Sequence, residues 1–176
     1  MQGYKYLIVG GGLAGGSAVD AIRELDDEGS IALVTQEPHR PYERPPLSKG
    51  FLTGKTSRDD IYLHPKENYS RQNVDLFEQV RVTGLSTGTR IVTLDDGRML
   101  KYGRLLLATG GRARRLDLPG ANLPGVFTLR TVEDSIAIRA AAGEGQPVLV
   151  LGGGFIGAEV AASLNRLGAR VTMVYR

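Results

Sequence analysis

The sequence contains no cysteine and no tryptophan, and it has only two histidines, His39 and His64, among 176 residues. Without cysteine the chain can form no disulfide, no thiolate metal site and no redox-active dithiol. The neighbours of the two histidines do not have the spacing of a metal-ligand motif. We therefore expect no metal centre.

Charge of one sign and long apolar runs are also scarce. The chain has 22 Lys and Arg against 19 Asp and Glu, a net charge of +3. The basic residues are scattered, so we expect no binding to nucleic acid. No apolar run is long enough to span a membrane, and no signal peptide precedes the first one. We expect no membrane association and a cytoplasmic location.

Two glycine fingerprints are the most informative features that the chain does contain. One covers residues 10–15, Gly-Gly-Gly-Leu-Ala-Gly, after the apolar run 6–9. The other covers residues 152–157, Gly-Gly-Gly-Phe-Ile-Gly, after the apolar run 148–151. Each is followed by an alanine-containing helical pattern and another short apolar run. Two such strand–glycine–helix–strand units predict two dinucleotide-binding sites.

The first fingerprint assigns a physical task to each glycine. Gly10 makes the tight turn, Gly12 lets the backbone approach a pyrophosphate, and Gly15 lets helix and strand pack closely. The helix N-terminus presents unpaired N–H groups and a positive dipole end to the phosphates. Glu37 lies just beyond the next strand, where an acidic side chain accepts hydrogen bonds from an adenosine ribose.

In the second fingerprint the same tasks fall to Gly152, Gly154 and Gly157. No acidic residue stands at the end of the following strand, where the sequence reads Tyr175-Arg176. Two interpretations stay open. Arg176 binds a 2′-phosphate and favours NADPH, or the acidic residue of an NADH site follows beyond Arg176.

The order of apolar patterns predicts an α/β fold, a doubly wound parallel sheet of Rossmann type with a β meander within 75–102. Strands are predicted at 5–9, 31–34, 76–82, 90–94, 99–102, 105–108, 148–151 and 171–174. Helices are predicted at Leu13–Leu25, near 68–73, from Thr131 as cap to 142, and at 155–167. We expect a first dinucleotide-binding domain at 1–110, which the family resemblance described next identifies as the FAD-binding domain, a connecting segment at 111–146, and the start of a second, truncated Rossmann domain at 147–176.

Four further stretches carry a resemblance to a known family. They are the Pro-rich residues 37–49, Glu-Pro-His-Arg-Pro-Tyr-Glu-Arg-Pro-Pro-Leu-Ser-Lys, and residues 107–112, 129–134 and 152–159. With the first fingerprint they resemble the flavoprotein reductases that supply ferredoxins, rubredoxin and putidaredoxin with electrons. Monodehydroascorbate reductase and apoptosis-inducing factor are relatives of that family. The Pro-rich stretch stands where disulfide reductases of this fold carry their cysteine pair, in agreement with the absence of cysteine.

The resemblance implies a set of site residues. Those implied to bind FAD are Leu13, Ala14, Gly15, Glu37, Arg44, Lys49, Val82 and Arg130. Ala108, Thr109 and Gly110 resemble the crossing segment whose backbone passes near the cofactor. Ile156 and Glu159 resemble residues that face the nicotinamide. Lys49 and Glu159 are the implied catalytic residues: the lysine stabilises negative charge on the reduced flavin, and the glutamate pairs with it and orients the nicotinamide.

The function implied is an FAD-dependent oxidoreductase that passes electrons from NADH or NADPH through FAD to ferredoxin or rubredoxin. Two alternatives stay open: a truncated, inactive dinucleotide-binding fragment, and a redox-signalling flavoprotein like apoptosis-inducing factor. The sequence does not indicate the acceptor, the preferred nicotinamide dinucleotide or the oligomeric state.

Overall fold

The computed structural model describes residues 1–176, which form two compact units. The first unit comprises Met1–Glu43 and Tyr62–Gly110, and the second comprises Arg44–Ile61 and Gly111–Arg176. The elements in chain order are β1 Gln2–Val9, α1 Leu13–Leu25, β2 Ile31–Val34, 3₁₀ turns at Pro45–Ser48 and Asp59–Ile61, α2 Lys66–Arg71, β3 Val74–Phe77, β4 Val82–Ser86, β5 Ile91–Leu94, β6 Met99–Leu107, α3 Val132–Ala141, β7 Pro147–Leu151, α4 Phe155–Arg166 and β8 Arg170–Val174.

A six-stranded sheet in the order β3-β2-β1-β6-β5-β4 organises the first unit. Strands β3, β2, β1 and β6 are parallel, whereas β5 and β4 add an antiparallel edge. The register places Val9 of β1 beside Val34 and Leu107. The carboxyl ends of these central strands therefore meet at one edge of the sheet, which is where doubly wound sheets bind ligands.

Continuous apolar runs explain the central strands of this sheet. All four residues of β2 are buried, as expected for a parallel strand covered on both faces. One core cluster joins Ile8 and Leu33 to Val19 of α1, and a second joins Leu7 and Val34 to residues of β5 and β6. Burial on both sides fixes the ends of β1 and β2, and with them the position of the first glycine fingerprint.

The second unit contains the parallel pair β7 and β8 with α3 and α4. Along both strands exposed and partly buried residues alternate, so one face of the pair is packed and the other is exposed. The core on the packed side includes Leu52, Ile138 and Leu164. The 3₁₀ turn Pro45–Ser48 begins with two prolines, whose fixed φ suits the first turn of a helix.

Helix α3 begins where the sequence predicts. The Thr131 hydroxyl accepts a hydrogen bond from the Asp134 N–H at 3.2 Å, and the Asp134 carboxylate accepts one from the Thr131 N–H at 2.8 Å. This reciprocal capping box satisfies N–H groups that the first turn leaves without helical partners. The same carboxylate accepts the Arg130 N–H at 2.8 Å, which orders the backbone just before the helix.

Two predicted strand assignments are wrong. The strand predicted at 76–82 is two strands, β3 and β4, because Gln79 adopts a left-handed φ of 58° that interrupts extended backbone. β3 therefore belongs to the parallel part of the sheet, and the meander is β4-β5-β6. The strands predicted at 99–102 and 105–108 are one strand, β6, in which Gly103 passes close to β1. A Cβ there would lie 2.9 Å from the Lys5 carbonyl oxygen.

No helix is both long and apolar enough to cross a membrane. The predicted domain boundaries, 1–110, 111–146 and 147–176, stay predictions. In the structure, Arg44–Ile61 groups with the C-terminal residues rather than with the first sheet.

Candidate dinucleotide-binding sites

The first fingerprint forms a tight backbone turn at the carboxyl end of β1. Gly10 has a φ of 123°, and its N–H donates to the Val34 carbonyl at 2.8 Å. A Cβ on Gly10 would lie 2.1 Å from the Ala108 carbonyl oxygen, at the end of β6. Both the positive φ and the close backbone contact require glycine here.

Gly12 and Gly15, which complete the Gly-x-Gly-x-x-Gly pattern, differ in the space around them. A Cβ on Gly15 would lie 1.9 Å from the Gly10 carbonyl oxygen, whereas a Cβ on Gly12 would meet no atom within 4 Å. Gly12 is the N-cap of α1, and no side chain caps this helix end. Open space in front of uncapped N–H groups is the arrangement that a pyrophosphate requires, so these residues fit a dinucleotide.

The second fingerprint reproduces this geometry. Gly152 has a φ of 112°, and its N–H donates to the Val174 carbonyl at 2.8 Å. A Cβ on Gly157 would lie 2.2 Å from the Gly152 carbonyl oxygen, while a Cβ on Gly154 meets no atom within 4 Å. Gly154 is the uncapped N-cap of α4. The chain therefore contains two cradles, each a glycine turn followed by an uncapped helix N-terminus, with matching backbone geometry.

The two cradles differ in what lies beside them. A Cβ on Gly152 meets no atom within 4 Å, whereas Gly10 is closed in by Ala108. Gly11 and Gly153 are the second glycines of their fingerprints. Each packs against the residue that follows the next parallel strand, β2 or β8. A Cβ on Gly11 would lie 2.5 Å from the Thr35 side chain, and one on Gly153 would lie 2.9 Å from the Tyr175 side chain. Exposed Arg176 follows Tyr175 directly.

Glu37 is held near the carboxyl end of β2 by a tyrosine that sequence reasoning did not assign. The Tyr42 hydroxyl donates to Glu37 Oε2 at 2.5 Å. Tyr42 is buried, and its ring packs edge-on against His39. The Glu37 carbonyl also accepts the Gln79 N–H at 3.2 Å. The one signal for Tyr42 was its place in the Pro-rich stretch.

The remaining residues predicted to lie near FAD in the first unit are on three segments: residues 108–110 after β6, Val82 on β4, and the first turn of α1. Ala108 donates its N–H to the Val9 carbonyl at 2.8 Å, which places the segment 108–110 beside the first fingerprint. Thr109 and Gly110 are exposed. Val82 begins β4, and its side chain packs against the core. Leu13 and Ala14, in the first turn of α1, are exposed.

In the second unit, five predicted residues line a common cavity of about 280 Å³. They are Arg44, Lys49, Arg130, Ile156 and Glu159. Apolar walls come from Leu47, Leu129 and the highly exposed Phe155. Charged side chains from three separate segments of the chain therefore converge with apolar residues around this cavity.

An ion pair stands in this cavity. Lys49 Nζ lies 3.1 Å from Glu159 Oε1, and the Ser48 hydroxyl donates to Glu159 Oε2 at 2.6 Å. The hydrogen bond from Ser48, followed by that from Lys49, lowers the pKa of the Glu159 carboxyl below its ordinary value. The contact between Lys49 and Glu159 is the one that the resemblance implies. The catalytic roles of both residues stay predictions, as do those of the other site residues.

The Arg130 side chain has one buried N–H group, at Nε, that could donate a hydrogen bond to a ligand. Its Nε atom is buried and has no hydrogen-bond partner, although Arg130 lines the cavity. The Arg130 carbonyl accepts a short hydrogen bond from Arg44 Nη1, which fixes the two arginines relative to each other. Because an unsatisfied buried N–H is costly, an acceptor group on a bound cofactor suits this position.

The chain matches the model of the pyridine nucleotide-disulphide oxidoreductase family over residues 4–176. It is 41% identical over 99% of its length to the 5,5'-dehydrodivanillate O-demethylase ferredoxin reductase subunit of Sphingobium sp., and covers 42% of that protein. It is 40% identical over 96% of its length to rubredoxin-NAD(+) reductase of Pseudomonas putida, and covers 44% of it. The chain thus belongs to the pyridine nucleotide-disulphide oxidoreductase family.

Solved structures agree with this assignment. The reductase structure described as a covalent putidaredoxin reductase–putidaredoxin complex matches with a TM-score of 0.91 at 39% identity, over 97% of this chain and 42% of that one. The NADH:rubredoxin oxidoreductase from Clostridium acetobutylicum matches with a TM-score of 0.87 at 26% identity, over 99% of this chain and 45% of that one. The predicted family and α/β fold class are confirmed, and the family implies the predicted cofactors, FAD and NAD(H). The chain spans less than half the length of these relatives.

Proposed function

We propose that this chain is the dinucleotide-binding part of an FAD-dependent NAD(P)H oxidoreductase that delivers electrons to ferredoxin or rubredoxin. The observation that carries the proposal is the duplicated pyrophosphate cradle. Both cradles have a first glycine at positive φ, an uncapped helix N-terminus, and open space at the N-cap glycine, Gly12 or Gly154. Two dinucleotide sites in one chain suit electron transfer between a nicotinamide and a flavin.

The residues of each unit fit a part of this task. In the first unit, Gly10, Gly12 and Gly15 would hold the pyrophosphate of FAD, and Glu37 would accept hydrogen bonds from its ribose. In the second unit, Gly152, Gly154 and Gly157 would hold the pyrophosphate of the nicotinamide dinucleotide. Held by these residues, the two cofactors would supply hydride transfer from nicotinamide to flavin and one-electron transfer from the flavin to an acceptor.

The charged residues of the second-unit cavity would act on the cofactors electrostatically. The Lys49 ammonium supplies a positive charge, which stabilises negative charge developing nearby. Glu159 holds that ammonium at 3.1 Å. Arg130, with its unpartnered Nε, is a donor for an acceptor atom of FAD. No side chain in this scheme acts as a nucleophile.

The relatives support the class of electron acceptor. They are named as ferredoxin reductase and rubredoxin reductase components. We take ferredoxin or rubredoxin as the partner of the complete protein on that ground. The cytoplasmic location predicted from the sequence belongs to the same proposal, and cell fractionation tests it.

An anaerobic titration tests the proposal. The protein is saturated with FAD, NADH or NADPH is added, and flavin absorbance is followed before ferredoxin or rubredoxin is supplied. We expect bleaching by a nicotinamide dinucleotide and then reduction of the acceptor. A flavin that is reduced but passes no electrons to either acceptor would favour a signalling role. A protein that binds no flavin would favour an inactive dinucleotide-binding fragment.

A further inference from the structure

Two consecutive residues hold both carboxylate oxygens of Glu159. Lys49 Nζ lies 3.1 Å from Oε1, and the Ser48 hydroxyl donates to Oε2 at 2.6 Å. We propose that Ser48 is a positioning residue, whose hydroxyl fixes the Glu159 carboxylate and thereby holds the Lys49–Glu159 pair in place for the nicotinamide. The nicotinamide part of this inference rests on the proposed function.

Burial separates Ser48 from the two residues of the ion pair. Ser48 is 4% exposed, whereas the side chains of Lys49 and Glu159 are 53% and 32% exposed. A partly exposed pair of two long side chains gains little from its charges, because holding both in one geometry costs side-chain entropy. A buried hydroxyl with one rotatable bond loses little entropy, and its short bond to a charged oxygen is of the strong kind. Ser48 is therefore the rigid member of the group.

Ser48 is itself held by two other buried serines. The Ser163 hydroxyl of α4 donates to the Ser48 carbonyl at 2.7 Å. The Ser135 hydroxyl of α3 donates to the Leu47 carbonyl at 2.8 Å. Ser163 and Ser135 are 7% and 1% exposed. Helices α3 and α4 thus fix the turn that carries Ser48, and such support is what gives a site a defined geometry.

Glu159 is the one acidic residue among the groups that line two cavities. One, of about 270 Å³, is also lined by Lys49, Lys55 and Arg166. The cavity described above is also lined by Arg44 and Arg130. Of these cations, Lys49 forms an ion pair with Glu159, and the Ser48 hydroxyl holds the other carboxylate oxygen.

A purely structural role for Ser48 makes a different prediction from a positioning role. A structural serine affects unfolding only, whereas a positioning serine also affects the rate of flavin reduction, and the titration of Glu159 reports whether the Ser48 hydrogen bond is made. We would compare Ser48→Ala with Ser48→Thr, which keeps the hydroxyl. Ser57→Ala is the matched control, because the Ser57 hydroxyl donates to the exposed Asp60 carboxylate at 2.7 Å, outside the site. The pKa of Glu159 is measured by carboxyl-carbon NMR in the wild-type protein and in all three variants.

The proposal expects a Glu159 pKa below its ordinary value in the wild type. It expects a rise in Ser48→Ala and no rise in Ser57→Ala or Ser48→Thr. The rate constant of flavin reduction at saturating dinucleotide should fall about tenfold in Ser48→Ala, the loss of one charge-assisted hydrogen bond. The dissociation constant of the dinucleotide, from direct titration, should change by less than about threefold.

Two results would overturn the proposal. One is an ordinary Glu159 pKa in the wild type, which needs no variant to fold. The other is a Ser48→Ala protein whose Glu159 pKa and flavin reduction match those of the wild type. If no nicotinamide dinucleotide reduces the flavin of the wild type, the proposed function fails instead, and the Glu159 titration still decides whether Ser48 holds the carboxylate.

Discussion

Gly12 and Gly15 lie in the same fingerprint, yet substitutions at the two positions should have opposite effects. A Cβ on Gly12 meets no atom within 4 Å, and the backbone there is extended, with φ −86° and ψ −172°. A Cβ on Gly15 would lie 1.9 Å from the Gly10 carbonyl oxygen. Gly12→Val should therefore block the ligand and spare the fold, whereas Gly15→Ala should damage the fold itself.

The structure sets the size of each effect. Gly12→Val only exchanges one N-cap residue for a poorer one, a loss of about 1 kcal/mol or less. For a chain of this length that lowers Tm by roughly 2–4 °C. Gly15→Ala forces backbone apart at a buried helix–strand contact, and we expect a loss of about 3 kcal/mol. The valine at position 12 fills the pyrophosphate space, so FAD affinity should fall at least about a hundredfold.

Two measurements on each variant separate these effects. Thermal unfolding without flavin reports the fold, and quenching of FAD fluorescence reports binding. Gly154→Val is the matched control, because Gly154 is also an N-cap with no atom within 4 Å of a built Cβ. It should keep FAD affinity and lose affinity for the nicotinamide dinucleotide.

Full FAD affinity in Gly12→Val would refute the assignment of the first cradle to FAD. Loss of FAD in Gly154→Val, with retention in Gly12→Val, would exchange the two assignments. A Gly15→Ala protein with unchanged Tm would contradict the packing argument.

Three further variants test other parts of the structure. The hydrogen bond from Lys5 holds the pKa of Asp26 well below its usual range. Asp26→Asn should therefore lower the free energy of unfolding at neutral pH. In acid unfolding, the difference in this free energy between variant and wild type should shrink as pH falls below about 4. Thr131→Ala breaks the capping box with Asp134 and should cost about 1 kcal/mol in urea unfolding, with a null result contradicting the cap. Arg176→Gln separates the two interpretations of the second site. A selective loss of kcat/KM for NADPH would assign binding of the 2′-phosphate to Arg176. Unchanged kinetics with NADPH and NADH would exclude that role for Arg176.

Local patterns predicted the parts of the fold that depend on local physics. The apolar runs at β1, β2 and β7 predict buried strands, and the glycines that follow β1 and β7 specify turns at positive φ, which favour glycine. The start of α3 could be predicted because Thr131 and Asp134, which form its capping box, lie only three residues apart in the sequence. In contrast, the break at Gln79 depends on a left-handed residue that is not glycine, and no local rule marks such a residue.

The site was only partly predictable for a different reason. Ser48 contacts Glu159 across 111 residues of sequence, and Ser163 contacts Ser48 across 115. No periodicity connects residues so far apart, so the serine support became visible only in the fold. The Lys49–Glu159 pair was expected because a family resemblance, rather than spacing, placed the two residues together. Tyr42 was missed because its bond to Glu37 depends on how the Pro-rich stretch folds back.

Two separate dinucleotide sites in one chain are directly measurable by equilibrium titration calorimetry, first with FAD and then with NADH or NADPH on the FAD-saturated protein. We predict one FAD per chain and one nicotinamide dinucleotide per chain, bound without displacement of the flavin. Competition of the two ligands for a single site, or binding of neither, would contradict the presence of two sites.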